Sequence, residues 1–152
     1  MTQYHTRSSE ETIELGFNIG KILKPGSIVC FEGDLAAGKT TFIKGLAQGA
    51  SGYPPNYVNS PTFVYLNIYI GEKTIYHFDL YRLSDAEEFI EMGFEEHLHG
   101  KGICCIEWSE RVQNLIPHDF MIKIQMYHVS ENERLITVIP NLNISNLNTK
   151  AL

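Results

Sequence analysis

The sequence predicts an α/β fold, a mixed sheet with helices on both faces and two antiparallel hairpins, and three observations carry that reading. Gly33-Asp34-Leu35-Ala36-Ala37-Gly38-Lys39-Thr40 has the form G-x-x-x-x-G-K-S/T of a phosphate-binding loop. It lies between a β-branched apolar run and a segment with apolar residues at helical spacing, the strand-to-helix context such a loop requires. Two later pairs of β-prone runs, each joined by a short polar connection, signal hairpins. Together these make the sheet P-loop NTPase-like.

Taken in order, Ser8-Ser9-Glu10-Glu11-Thr12 supplies hydroxyl caps and early acids to a helix carrying Ile13, Leu15, Phe17, Ile19, Ile22 and Leu23, which Pro25-Gly26 ends. Ser27 to Phe31 reads as a strand, the loop follows, and Thr41 to Gln48 reads as the next helix. Gly49 to Pro55 and Asn59 to Thr62 are rich in breakers, so an irregular connection is expected there, long enough to be functional. Phe63 to Ile70 and Lys73 to Leu80 form the first hairpin around Gly71-Glu72. Asp85 to Leu98 reads as a helix, or two short ones broken near Gly93. Ile103 to Ile106 is a continuous apolar run of the kind buried on both faces. Trp108 to Leu115 is a weaker helix stopped by Pro117, and Phe120 to Val129 with Leu135 to Ile139 make the second hairpin. Residues 1–140 are expected to form a single domain, and the polar tail 141–152 to fray.

The chain has 152 residues, enough for one core without disulfides. Twelve Lys and Arg against 18 Asp and Glu give a net charge of -6, which opposes unaided binding to DNA or RNA. Any link to RNA is expected to run through a partner. Cys30, Cys104 and Cys105 sit in apolar runs without metal spacing, as buried thiols of a reducing cytoplasm would. Residues 1–14 are polar and unlike a signal peptide, and no apolar stretch approaches about 20 residues, so no membrane span is expected.

In a loop of this form, successive backbone N–H groups and the N-terminal end of the next helix bind a polyphosphate. Lys39 would reach the β- and γ-phosphates and the Thr40 hydroxyl would ligate Mg²⁺. Thr41 is a further hydroxyl, suited to a phosphate contact or to plain helix placement. Such a site also needs an acid near the metal and one to orient attacking water. Asp79 and Glu107 each stand where an apolar run meets polar sequence, at strand ends that open toward a ligand. His77 alternates with Asp79 but finds no third ligand at metal spacing, so it reads as a satisfied strand histidine; His97 and His99 read as a solvated turn. Trp108 is core or packs beside a nucleotide. Arg82 either faces phosphate charge or pairs with Glu87 or Glu88, and the Glu87 to Glu96 run is a solvated face or a dock for a basic partner.

The loop, Ser60-Pro61-Thr62-Phe63, His77-Phe78-Asp79-Leu80-Tyr81-Arg82 and Ile106-Glu107-Trp108, together with Thr12-x-x-Leu15-Gly16 and Glu91 to Glu96, resemble the TsaE family. These are small ATPases of bacterial tRNA threonylcarbamoyladenosine synthesis. The resemblance implies ATP as substrate, Thr40 and Glu107 as Mg²⁺ ligands, and Asp79 as the acid on the water side of the γ-phosphate. It implies Ser60, Pro61, Thr62 and Phe63 as a phosphate-sensing switch, with Ser8 and Arg134 near the nucleoside. It also implies TsaD-like and TsaB-like partners, with tRNA met only indirectly. The family commonly has Gly where Ala36 stands, which would cost about 1 kcal/mol if that position needs a positive φ.

A small-molecule or nucleotide kinase is the alternative, but it needs a lid of several Arg or Lys over the acceptor, and the sequence has no Arg-rich segment. A GTP-dependent switch lacks support: Leu80-Tyr81-Arg82 follows Asp79 where a Gly would be needed, and no Asn-Lys-x-Asp reads guanine. None of Arg7, Arg82, Arg111 and Arg134 lies in an obvious finger loop, so hydrolysis is expected to be slow alone and faster with partners.

Overall fold

The computed structural model describes residues 1–142 and Ile144; the rest of the tail expected to fray lies outside the described residues. The strands are β1 (Thr2–Thr6), β2 (Ile28–Glu32), β3 (Leu66–Tyr69), β4 (Ile75–Asp79), β5 (Ile103–Glu107), β6 (Met121–His128) and β7 (Arg134–Ile139). The helices are α1 (Ser9–Ile22), α2 (Lys39–Ser51) and α3 (Ala86–Glu91), with short 3₁₀ turns elsewhere. One seven-stranded sheet runs β1-β7-β6-β2-β5-β4-β3. Its centre is parallel, β6 with β2, β2 with β5 and β5 with β4, while β3 with β4 and β6 with β7 are the expected antiparallel hairpins.

Strand alternation sends successive side chains to opposite faces, and each face is covered. On one, Val29, Phe31, Ile103, Cys105, Ile124 and Ile136 pack with Leu15, Ile19, Phe42, Ile43 and Leu46 of α1 and α2. On the other, Ile28, Cys30, Phe78, Cys104 and Ile106 meet Phe89 of α3, Leu98 and Val112 of the 3₁₀ turns, and Ile116 just after the second of these. Helices on both faces of a mixed sheet are therefore what the sequence specifies. All three cysteines are free and buried, and burial pushes the thiols of Cys30 and Cys104 up to about 11 and about 12.

Three segments differ from expectation. β1 was not foreseen: Tyr4 is the one large apolar residue between Thr2 and Thr12, too little to show a period, yet the strand pairs antiparallel with β7 and buries Tyr4 and Thr6. The first hairpin strand is shorter than its β-prone run, because Phe63 to Tyr65 is a turn in which Val64 and Tyr65 N–H both donate to Pro61 O. The helix expected over Trp108 to Leu115 is a 3₁₀ segment, Ser109–Leu115. The break near Gly93 is present, with φ of 78° between α3 and the 3₁₀ turn Glu95–His99. Within the tail, Leu142 packs on the core and Ile144 is buried.

α1 and α2 meet backbone to backbone. A Cβ on Gly45 would stand 1.9 Å from Ile13 O, and one on Gly16 would stand 2.3 Å from Phe42 O. This seam seats α2, whose first residue is Lys39. Gly45→Ala is expected to lower the unfolding free energy by about 2–3 kcal/mol through overpacking, measured by denaturant titration. A loss below about 0.5 kcal/mol would mean that the helices part without cost.

Candidate functional site

Parallel order places the chemistry at one edge. The loop leaves the C-terminal end of β2, Glu107 ends β5 and Asp79 ends β4; Phe31 is paired with Glu107, and Glu107 with Asp79. Adjacent strands lie about 4.8 Å apart, so three distant stretches of sequence meet in one row.

Within the loop, Gly33 and Gly38 have φ of 151° and 97°, and a Cβ on Gly33 would stand 2.6 Å from Met126 O. Ala36 has φ of 65°, so the position where the resembled family has Gly does need the left-handed region. Arg134 braces this strained turn. Its Nε donates to Ala37 O at 2.9 Å, one Nη to Ala36 O at 3.2 Å, and the other to Ser130 O and Glu133 O at 2.8 and 2.9 Å.

Lys39 is 6% exposed; its Nζ donates to Gly33 O at 2.7 Å and sits 4.3 Å from the centre of the Trp108 ring. Burial pulls its pKa below the ordinary 10.5, while Glu107, Asp79, Glu110 and Asp34 partly oppose the shift. Asp79 is buried and accepts from Ser60 Oγ at 2.6 Å, Thr62 Oγ1 at 2.8 Å and Tyr81 N at 3.0 Å. The Ser60 to Phe63 stretch is thus tied to Asp79 through two hydroxyls, with Pro61 buried and Phe63 78% exposed beneath the Arg82 guanidinium. Glu107, also buried, bonds His77 through Oε2.

A cavity of about 410 Å³ gathers Leu35 to Thr41, Ser60, Thr62, Asp79 and Glu107 with Tyr81, Trp108 and Arg134. Gly33 and Asp34 line a second recess that shares Lys39 and Trp108 with the first. Ser8 does not reach either: its hydroxyl caps α1 by accepting from Glu11 N, and Ser9 and Thr12 are the ones that line a small recess beside Gly38, Thr41 and Arg134. Tyr81 was missed, although it sits inside the His77 to Arg82 stretch that drew attention to Asp79. Arg82 lies over Phe63, lines no wall of the cavity, and among the described residues forms no ion pair with Glu87 or Glu88. His97 is half-buried and stacks on Tyr76 at 4.2 Å, so only His99 matches the solvated turn.

The donor set fits Mg²⁺ and a polyphosphate. Thr40 hydroxyl and Glu107 carboxylate are hard oxygen donors on the wall that carries Lys39, and the volume falls within the roughly 300–1,000 Å³ of ligand pockets. Among the described residues no cluster of three or more His, Cys, Asp or Glu that could hold a metal is present, so any metal here would rest on Thr40, Glu107 and the ligand's own oxygens.

Strand, glycine loop and helix, with a buried lysine at the helix start and acids on neighbouring parallel strands, define a P-loop α/β protein. The family profile described as "Threonylcarbamoyl adenosine biosynthesis protein TsaE" matches residues 6–136. A Treponema pallidum protein named tRNA threonylcarbamoyladenosine biosynthesis protein TsaE is 41% identical over 133 residues, covering 88% of this chain and 96% of its own. A Bacillus subtilis protein of the same name is 37% identical over 136 residues, 89% of this chain and 83% of its own. A crystal structure of Bacillus subtilis YdiB superposes with a TM-score of 0.72 at 32% identity, covering 91% of this chain and 86% of that one. The chain belongs to the TsaE family.

Ala36→Gly relieves about 1–2 kcal/mol of left-handed strain and gives back about 0.4–1 kcal/mol in unfolded-chain entropy, so a net gain of up to about 1.6 kcal/mol in unfolding free energy is expected. A clear loss would mean that the loop carries no such strain. Lys39→Met keeps the stem and removes a charge whose folded pKa is depressed. The ammonium costs stability below that depressed value, and the cost fades as pH rises toward 10.5. The variant is therefore expected to be more stable than the parent at about pH 7, with the gap narrower at about pH 10. Denaturant titrations at both pH values check it, and a widening gap refutes it.

Proposed function

We propose that this chain is a Mg-ATP hydrolase that serves threonylcarbamoyl modification of tRNA adenosine in the cytoplasm, working with TsaD-like and TsaB-like proteins. One observation carries the reading: a single cavity receives Lys39 and Thr40 from the loop and both Asp79 and Glu107 from separate strands. Family membership supplies the pathway, and no helix among the described residues is long and apolar enough to cross a membrane.

The loop amides and Lys39 bind the phosphates, Lys39 exchanging Gly33 O for a phosphate oxygen while Trp108 keeps water from its other side. Thr40 and Glu107 would hold Mg²⁺, which neutralises phosphate charge when bound. Asp79 orients the attacking water and accepts its proton. To do so it gives up a bond to Ser60 or Thr62, so the position of that segment depends on the state of the site. Phe63, exposed at its end, presents that state outward. Only Arg134 among the arginines lines the cavity, and it is committed to loop carbonyls. A stabilising cation for the transition state is then the partner's to supply, which supports slow hydrolysis alone.

Titration calorimetry with Mg-ATP and phosphate release test the roles. Lys39→Met is expected to lose tight binding, while Asp79→Ala keeps binding and loses roughly 10²–10⁴-fold in turnover. Retained affinity in the first variant or normal turnover in the second removes the assignment. Turnover of the parent that does not rise with TsaD-like and TsaB-like partners removes the partner-activated part.

A further inference from the structure

Glu107 is held from below. His77 Nε2 lies 2.8 Å from Glu107 Oε2, and Tyr69 hydroxyl lies 2.8 Å from His77 Nδ1. His77 is paired with Cys105 on the neighbouring strand, two residues before Glu107, so ring and carboxylate share one face of the sheet. The three side chains are sealed in: His77 is 0% exposed, Tyr69 2% and Glu107 4%.

Hydrogen-bond chemistry gives this chain a direction. An ionised carboxylate only accepts, so the proton in the His77–Glu107 bond sits on Nε2. Tyr69 has one hydroxyl proton and two acceptors in reach, Nδ1 at 2.8 Å and Asn59 O at 3.3 Å. Given to Nδ1, the nearer of the two, that proton leaves Nδ1 as acceptor and keeps the ring proton on Nε2. An aliphatic residue at position 77 would pack against this face without requiring partners; an imidazole with both nitrogens satisfied is a device for aiming something.

We propose that His77 is the positioning residue for the Glu107 carboxylate, with Tyr69 fixing its tautomer. The proposal rests on the reading of Glu107 as a metal ligand. His77 lines no part of the main cavity and touches no reacting atom. It engages one oxygen of Glu107 in a directed bond and leaves the remaining acceptor capacity for the wall shared with Thr40. Outer-shell bonds of this kind set the orientation and basicity of metal-binding groups, and their loss weakens metal binding by roughly 10–100-fold. Tyr69 also touches Asn59, the residue before Ser60, so the relay ends beside the segment that Asp79 holds.

The first measurement uses ligand-free full-length protein with ¹⁵N-labelled histidine. Long-range nitrogen–proton correlation is expected to place a proton on His77 Nε2, and Nε2 without one overturns the proposal. The second reads Mn²⁺ affinity by electron paramagnetic resonance at a saturating non-hydrolysable ATP analogue. His77→Leu is expected to weaken it roughly 10–100-fold and Tyr69→Phe by a smaller factor. His77→Gln, whose amide reaches the Nε2 position, recovers most of the loss. Tyr69→Phe removes only a hydroxyl and stands in should His77→Leu fail to fold. Affinities within about two-fold of the parent in all variants overturn the proposal, as does an equal fall in metal-free nucleotide affinity, which would make the relay a support of the loop. Should the parent bind no nucleotide, the Mg-ATP reading fails while the tautomer still decides the relay.

Discussion

Burying one ammonium and two carboxylates at the end of an apolar sheet is the constraint on which the site depends. Lys39, Asp79 and Glu107 are each at most 6% exposed, and a buried charge left without partners costs several kcal/mol. Each is therefore met by protein groups. Lys39 has Gly33 O and the Trp108 face, Asp79 has two hydroxyls and the Tyr81 N–H, and Glu107 has His77. Ser60, Thr62, His77 and Trp108 reach them from stretches distant in the chain, Gly33 and Tyr81 from close by. Satisfying Asp79 is what ties the Ser60 to Phe63 segment back to the sheet's edge.

The scaffold beneath is apolar and owes little to these bonds. Two hydrophobic clusters, one on each face, hold β2, β5 and β4 side by side and in register. The glycine seam between α1 and α2 brings backbones closer than any side chain permits, and α2 in turn carries Lys39 and Thr40 at its start. Arg134 then ties the loop to β7, so the strained turn at Ala36 is held from outside the loop itself. Rigid layers set the distances, and the polar bonds set the directions.

Much of the fold was legible because its signals are local. The G-x-x-x-x-G-K-T loop, the run Ile103 to Ile106 and both hairpins each announce themselves within a few residues, and all appear. β1 was illegible because Tyr4 alone cannot show alternation; its register comes from β7, some 130 residues later in the chain. The turn at Phe63 to Tyr65 defeated a β-prone composition because the bonds of Ser60 and Thr62 to Asp79 win over local preference. Asp79 and Glu107 could be named as strand-end acids, yet their adjacency follows from the parallel order β2-β5-β4, which no single stretch encodes.

By itself the sequence determined the chemistry on offer: which residues have the form of a phosphate loop, which acids could serve a metal and water, and which family's motifs they form. Those follow from residue type and short spacing. Tertiary structure alone decided who holds whom. Ser8 became a helix cap rather than a cavity residue, Arg82 a cover for Phe63, and His77 a link between Tyr69 and Glu107. Such roles depend on which face of a strand meets which neighbour, and that is fixed only when the whole sheet closes.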